Sequence, residues 1–137
     1  MLDTSGLLAA LDPREPRHQA AASALRESAA PLLLSPFVLA ELDYLVASAL
    51  GQPAEADLLE EVARGAYRIE TFAAADVAHA ASIVGQYRDL GIGLADASIV
   101  VLARRHDVHD VLTLDERHFR VLRGPRDRPF RLLPADA

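Results

Sequence analysis

Cysteine is absent from the 137 residues, which excludes disulfide staples, thiolate metal sites, iron–sulfur clusters and cysteine nucleophiles, and leaves stability to the hydrophobic core. Lysine is absent too, since all fourteen basic side chains are arginine. Long apolar runs are lacking. Stretches such as Phe37-Val-Leu-Ala40 and Ile99-Val-Val-Leu-Ala103 are broken by charge well short of the ~20 residues that span a bilayer, so no membrane segment is expected. Met1-Leu-Asp carries no basic stretch ahead of an apolar one and no small-residue cleavage signal, so a cytoplasmic protein is expected. No glycine-rich phosphate loop of Walker or Rossmann type occurs, and no serine sits in a nucleophile-elbow context.

What is present fits one soluble globular domain spanning residues 1–137, with 51% apolar and 25% charged residues. The net charge of -6 argues against a surface that embraces nucleic acid on all sides. The charge is nevertheless segregated. Between Arg117 and Arg131 lie six arginines and a single acid, Asp127, giving that stretch +5 against -11 for the remainder.

Local patterns alternate between strands and helices. Met1-Leu-Asp3 reads as a strand end and Thr4-Ser-Gly6 as a turn, with helical spacing following at Leu7, Leu8 and Leu11. Helix is expected over Arg17–Ala29, a short buried strand over Pro31–Ser35, and helix over Pro36–Leu50 with Ser35 as cap and Gly51-Gln-Pro53 as stop. A helix over Ala54–Arg64, a half-buried strand over Tyr67–Phe72, and helices over Ala75–Leu90 and Leu94–Arg105 follow. Short strands over Asp110–Leu114 and Phe130–Leu133 complete the chain. This order predicts an α/β domain of three layers, a mainly parallel sheet of short strands flanked by helices.

Four acids stand where a carboxylate is costly. Asp3 and Asp115 each end a strand, at the carboxyl edge where parallel sheets bind ligands. Glu41, with Val38 and Leu45 on its face, and Asp96, in the first turn of a helix with Ile99, Val100 and Ala103, are both expected to face inward. Each has an ordinary reading: an Asx turn for Asp3, a dipole-satisfied helix start for Asp96, a turn former for Asp115, half of a buried ion pair for Glu41. Together they converge on one sheet edge, where like charges repel unless a cation intervenes. Oxygen donors without cysteine or histidine select Mg²⁺ or Mn²⁺ over Zn²⁺.

Four blocks, Leu2-Asp-Thr-Ser-Gly-Leu-Leu-Ala9, Ser35-Pro-Phe-Val-Leu-Ala-Glu-Leu-Asp-Tyr-Leu45, Ile92-Gly-Leu-Ala-Asp-Ala97 and Leu112-Thr-Leu-Asp-Glu-Arg-His-Phe119, together resemble the PIN-domain ribonucleases. The likeness is strongest to the VapC-type toxins of bacterial toxin–antitoxin pairs and covers nearly the whole chain. It implies a metal site formed by Asp3, Glu41, Asp96 and Asp115, supported by the hydroxyls of Ser5 and Thr113. It further implies Mg²⁺-dependent endoribonuclease activity on a structured RNA such as a transfer RNA or a ribosomal RNA loop. A homodimer and a VapB-type antitoxin are implied as partners, with the helices between Pro36 and Arg64 as contact surfaces. The chemistry agrees with the residues themselves, since clustered carboxylates holding one or two divalent ions suit in-line phosphodiester hydrolysis by water.

Other candidates carry less. Arg117 and Arg120, just past Asp115, are expected to contact RNA, against the alternative of a solvated loop. His118 either touches substrate or caps a turn and is not counted as catalytic. His106-Asp-Val-His109-Asp110 is expected to be a solvated loop away from the acids. Asp43, about 200° round the helix from Glu41, is expected to pair with an arginine or reach the rim. Alternatives of another class are a non-catalytic PIN-fold module that binds RNA or protein, and a phosphatase or DNA nuclease using the same acids.

Overall fold

Each strand in this chain is only two or three residues long. In the computed structural model, which describes residues 1–137, β1 (Leu33–Leu34), β2 (Arg68–Ile69), β3 (Asp110–Leu112) and β4 (Arg131–Leu133) are set among seven helices. The helices are α1 (Thr4–Leu11), α2 (His18–Glu27), α3 (Pro36–Leu50), α4 (Gln52–Ala63), α5 (Ala74–Gln86), α6 (Leu94–His106) and α7 (Glu116–Phe119). β1 pairs in parallel with β2, and β3 with β4. Leu2 joins the two pairs by parallel bridges to Leu34 and Leu112, so the order is β2, β1, Leu2, β3, β4.

The chain steps outward from Leu2 to β1 and β2, then crosses back to β3 on the other side of Leu2. With right-handed crossovers, the helices of this return lie on the opposite face of the sheet from the earlier ones, which gives the three layers. The reversal leaves a crevice between the carboxyl ends of the Leu2 segment and β3, the place where such sheets bind ligands. The residues that follow these two ends are Asp3 and Thr113 to Asp115.

The core that fixes this arrangement contains Leu2, Leu7, Leu34, Leu42, Ile99, Leu102, Phe119 and Leu132, all essentially solvent-free. Ser35 caps α3 by accepting from the Phe37 N–H, Pro36 occupies its first turn, and Gly51 with φ of 92° ends it. No helix is long and apolar enough to cross a membrane.

Three local expectations are corrected. Thr4-Ser-Gly6 is the first turn of α1, with Asp3 in extended conformation as its cap residue and the Leu7 N–H bonded to the Asp3 carbonyl at 3.0 Å. The strand expected over Tyr67–Phe72 pairs only at Arg68 and Ile69, both exposed at the sheet edge; the Glu70 N–H still donates to the Leu34 carbonyl at 3.0 Å while its carboxylate meets His106 at 2.6 Å. The helix expected to reach Leu90 stops at Gln86, and a separate 3₁₀ turn covers Arg88–Leu90 before Gly91, whose φ is 74°.

Gly6 serves close packing. A β-carbon there would lie 2.3 Å from the Leu112 carbonyl oxygen, which belongs to the backbone of β3. Glycine to alanine in a free helix gains up to ~1 kcal/mol. Gly6→Ala is expected to reverse that sign and cost about 2–3 kcal/mol, because backbone has to move to admit the methyl group. A lower urea midpoint at unchanged slope will report it.

Candidate metal centre

Asp3 is the innermost acid, only 5% exposed, because its backbone still belongs to the sheet: its N–H donates to the Leu112 carbonyl at 3.0 Å. Two hydroxyls make that burial tolerable. Ser5 Oγ donates to Asp3 Oδ2 at 2.6 Å and Thr113 Oγ1 donates to the same oxygen at 2.7 Å. Each hydroxyl in turn accepts a backbone N–H at 2.9 Å, Ser5 from Leu114 and Thr113 from Asp115. The single proton of each hydroxyl is therefore committed to Asp3, and the segment carrying Asp115 is tied to Asp3. Burial raises the Asp3 pKa above its ordinary value, against the opposing pull of these hydrogen bonds.

Asp115 caps α7, with its Oδ1 accepting from the His118 N–H at 3.0 Å. That turn is anchored by Phe119, which is fully buried and meets Phe130 edge to face at a centroid distance of 6.1 Å. Asp96 stands in the first turn of α6, partly buried with its side chain 20% exposed. Its pKa is pushed up to about 6, first by desolvation and then by the charges of Asp3, Asp115 and Glu41, with His118 opposing. A buried hydrogen bond of 2.7 Å between Ser35 and Ser98 ties the start of α3 to α6 beside this point.

Asp3, Glu41, Asp96 and Asp115 thus line one open cleft of about 620 Å³, together with Ser5, Phe37, Leu94 and His118, and no arginine lines it. Glu41 is not inward-facing as expected. The buried stripe of α3 is Val38, Leu42 and Val46, and at about 100° per residue Glu41 falls beside it, exposed on the cleft wall. Asp43 lies against Glu55 of α4 instead of an arginine, and raises the Glu55 pKa by hydrogen bonding.

His118 belongs to the cleft more closely than the sequence indicated. Its Nδ1 lies 2.8 Å from Asp115 Oδ2 and 3.2 Å from Asp96 Oδ2. Asp96, Asp115 and His118 bring one potential ligand atom each within 4.8 Å of one another. The signal was available in the helix-start acid followed three residues later by a histidine, one turn of α7. His106 and His109 are elsewhere. His106 meets the buried Glu70, and His109 lies near Asp107 and Arg126. Arg120 is withdrawn from the expected RNA-contact set, since it is clasped by Glu116 at 2.9 Å and by both oxygens of Asp136 at 2.7 and 2.8 Å. Arg117 makes no such pair.

Four carboxylates and no guanidinium make a set of oxygen donors in need of positive charge, with the nitrogen of His118 beside them. They fit a divalent cation. Desolvated carboxylates that raise one another's pKa are the physical mark of that unmet need.

A family model described as the PIN domain matches residues 1–124. The chain is 46% identical over 134 residues to Ribonuclease VapC26 of Mycobacterium tuberculosis, covering 98% of this chain and 99% of that protein. Among solved structures it is similar to the crystal structure of Mycobacterium tuberculosis VapC20, a sarcin-ricin loop cleaving toxin. That likeness has a TM-score of 0.76 at 20% identity, covers 83% of this chain and 88% of that one, and is a likeness of fold.

The raised Asp96 pKa has a definite sign. Between the ordinary value of 3.8 and the folded value of about 6, the folded chain holds a proton that the unfolded chain does not. The metal-free protein therefore gains stability as pH falls through about 6, and the penalty at neutral pH is at most ~3 kcal/mol. Asp96→Asn is expected to melt higher than the parent at neutral pH without metal, with the difference closing as the pH falls toward 4. Added Mg²⁺ should raise the parent's melting temperature and not the variant's. Differential scanning fluorimetry across pH checks both.

Proposed function

Because this chain belongs to the PIN-domain family, we propose that it is a metal-dependent endoribonuclease, the toxin of a type II toxin–antitoxin pair, which hydrolyses phosphodiester bonds of a structured RNA. The single observation that carries the reading is the cleft of four carboxylates without a lysine or arginine. A site meant to bind phosphate directly would be lined with cations; one lined with acids holds the cation that holds the phosphate.

In this reading residues 1–137 act as one nuclease domain, with Asp3, Asp96 and Asp115 as principal ligands of Mg²⁺, for which Mn²⁺ substitutes. Glu41 completes the set from the rim, directly or through water. Bound there, one or two ions supply a water of lowered pKa and charge stabilisation at the leaving oxygen. The chain's own residues do the positioning. Ser5 and Thr113 hold Asp3 Oδ2, which leaves Oδ1 without a side-chain hydrogen bond. Thr113 and the His118 N–H fix Asp115 at both its backbone and its carboxylate. The His118 ring lies between Asp115 and Asp96, with Nδ1 2.8 Å from the one and 3.2 Å from the other.

The partners follow from the family and from exposure. A VapB-type antitoxin and a second copy of this chain are proposed to use α3 and α4, where Tyr44 is 71% and Leu59 44% exposed. The cytoplasm, where RNA and antitoxin meet, is the proposed location.

Two experiments test the reading. Purified protein is expected to cut total bacterial RNA at discrete positions with Mg²⁺ or Mn²⁺ and not with EDTA, and Asp96→Asn to lose activity by roughly 10²-fold or more. Mapped 5′ ends will name the RNA; uncut RNA that remains bound would instead favour the non-catalytic module. Thr113→Val and Ser5→Ala are each expected to weaken metal affinity by roughly 10–100-fold without unfolding the protein, measured by calorimetric titration with Mn²⁺.

A further inference from the structure

We propose that the RNA passes from the acidic cleft into a second groove, lined by Gly85–Leu90 and Val121, where Arg88 and Arg117 hold its backbone phosphates. This rests on the nuclease reading above and adds the course of the substrate and the residues that retain it.

The arginines sort themselves by partner. Half are engaged by acids, as Arg14 is by Asp12, Arg105 by Asp76, Arg120 by Glu116 and Asp136, Arg126 by Asp107 and Arg131 by Asp110. Others are tied down by other acceptors, as Arg104 is by the Arg123 carbonyl and Arg26 by Ser23. The side chains of Arg64, Arg88, Arg117 and Arg128 alone make neither an ion pair nor a hydrogen bond, and all four residues are exposed. Arg64 and Arg128 lead into β2 and β4, at the amino edge of the parallel sheet and away from the acids. Arg117 lies two residues after Asp115, and Arg88 precedes the Gly93–Asp96 segment. The two free guanidinium groups on the carboxyl side thus belong to segments that continue into the cleft, Arg117 next to His118 and Arg88 five residues before Gly93, and neither lines the cleft itself.

The two concavities have no lining residue in common but adjoin along the chain at two places, Leu90 with Gly93 and His118 with Val121. Gly93 to Asp96 on one side and Asp115 with His118 on the other line the acidic cleft. The neighbouring stretch Gly85–Leu90 and Val121, one turn beyond His118, line a second groove of about 660 Å³. Helical bonding continues past α7, with the N–H groups of Val121 and Leu122 both bonded to the His118 carbonyl. Arg117 and Val121, four residues apart, therefore lie on one side of that helical turn.

Charge makes the division of labour necessary. The cleft offers no cation of its own, so flanking phosphates have to be held beyond it, and arginine does this with paired N–H groups. Beside Arg88 the groove also presents groups that read bases: the ring of Tyr87 for stacking, the amide of Gln86, and the carboxylate of Asp89 to accept from an exocyclic amine.

The test compares initial rates of the full chain with saturating Mg²⁺ on a structured RNA that it cuts and on a short oligonucleotide spanning only the scissile bond. Arg88→Ala, Arg117→Ala, the double variant and Arg128→Ala, from the opposite edge, are assayed at several salt concentrations. Each of the first two is expected to lower kcat/KM on the structured RNA about tenfold through KM with kcat retained, and the double variant about a hundredfold. The salt dependence of binding should lose about 0.7–0.9 of its log–log slope per arginine. Arg128→Ala and all rates on the short oligonucleotide should match the parent. Parent-like rates for Arg88→Ala and Arg117→Ala on the structured RNA overturn the proposal while leaving the nuclease reading intact. Unchanged cleavage with weakened binding of the antitoxin assigns the groove to protein instead. A parent that cuts no RNA with metal overturns the nuclease reading and this one with it.

Discussion

Four carboxylates facing one cleft repel one another, and much of the surrounding structure exists to hold them there before any cation relieves the repulsion. Asp3 is the hardest to keep, being the most buried. Ser5 and Thr113 both donate to one of its oxygens and are themselves supplied by backbone N–H groups. This network joins the two strand ends at the switch point of the sheet, so the charge most costly to bury is held by the residues that also set the position of Asp115. Removing either hydroxyl leaves a carboxylate short of donors in a nearly dry place, where its partners matter most.

The helices contribute by fixing distance. Ser35 begins α3 and bonds Ser98 of α6, so the elements that carry Glu41 and Asp96 are linked a short way from those acids. Gly6 lets α1 lie against the backbone of β3, drawing Ser5 within reach of Thr113 at 3.2 Å. Close approach at one glycine thus sets the hydrogen bonds of the innermost acid.

Much of this is legible in the sequence because its signals are local. Ser35-Pro36 and Gly51 mark both ends of α3, and the alternation of short apolar stretches with helices is enough to reach a parallel α/β sheet. The positions of Asp3 and Asp115 at strand ends are visible for the same reason. What escapes is whatever depends on a distant partner. The clasp of Arg120 by Asp136 requires knowing where the last residues return, and the turn of Glu70 toward His106 requires the end of α6. Glu41 escapes for a subtler reason: two apolar neighbours at helical spacing suggest a buried face, yet Leu45 is itself only partly buried and the true stripe is one residue round.

The bond from Thr113 to Asp3 spans 110 residues of chain, and the sheet positions Asp3 only once β3 lies beside Leu2. Contacts of such separation close late in folding. During translation the first acid leaves the ribosome long before the last, and no earlier fragment contains the whole set. A fragment that stops short of β3 therefore lacks both the Leu112 carbonyl and the Thr113 hydroxyl that hold Asp3 in place.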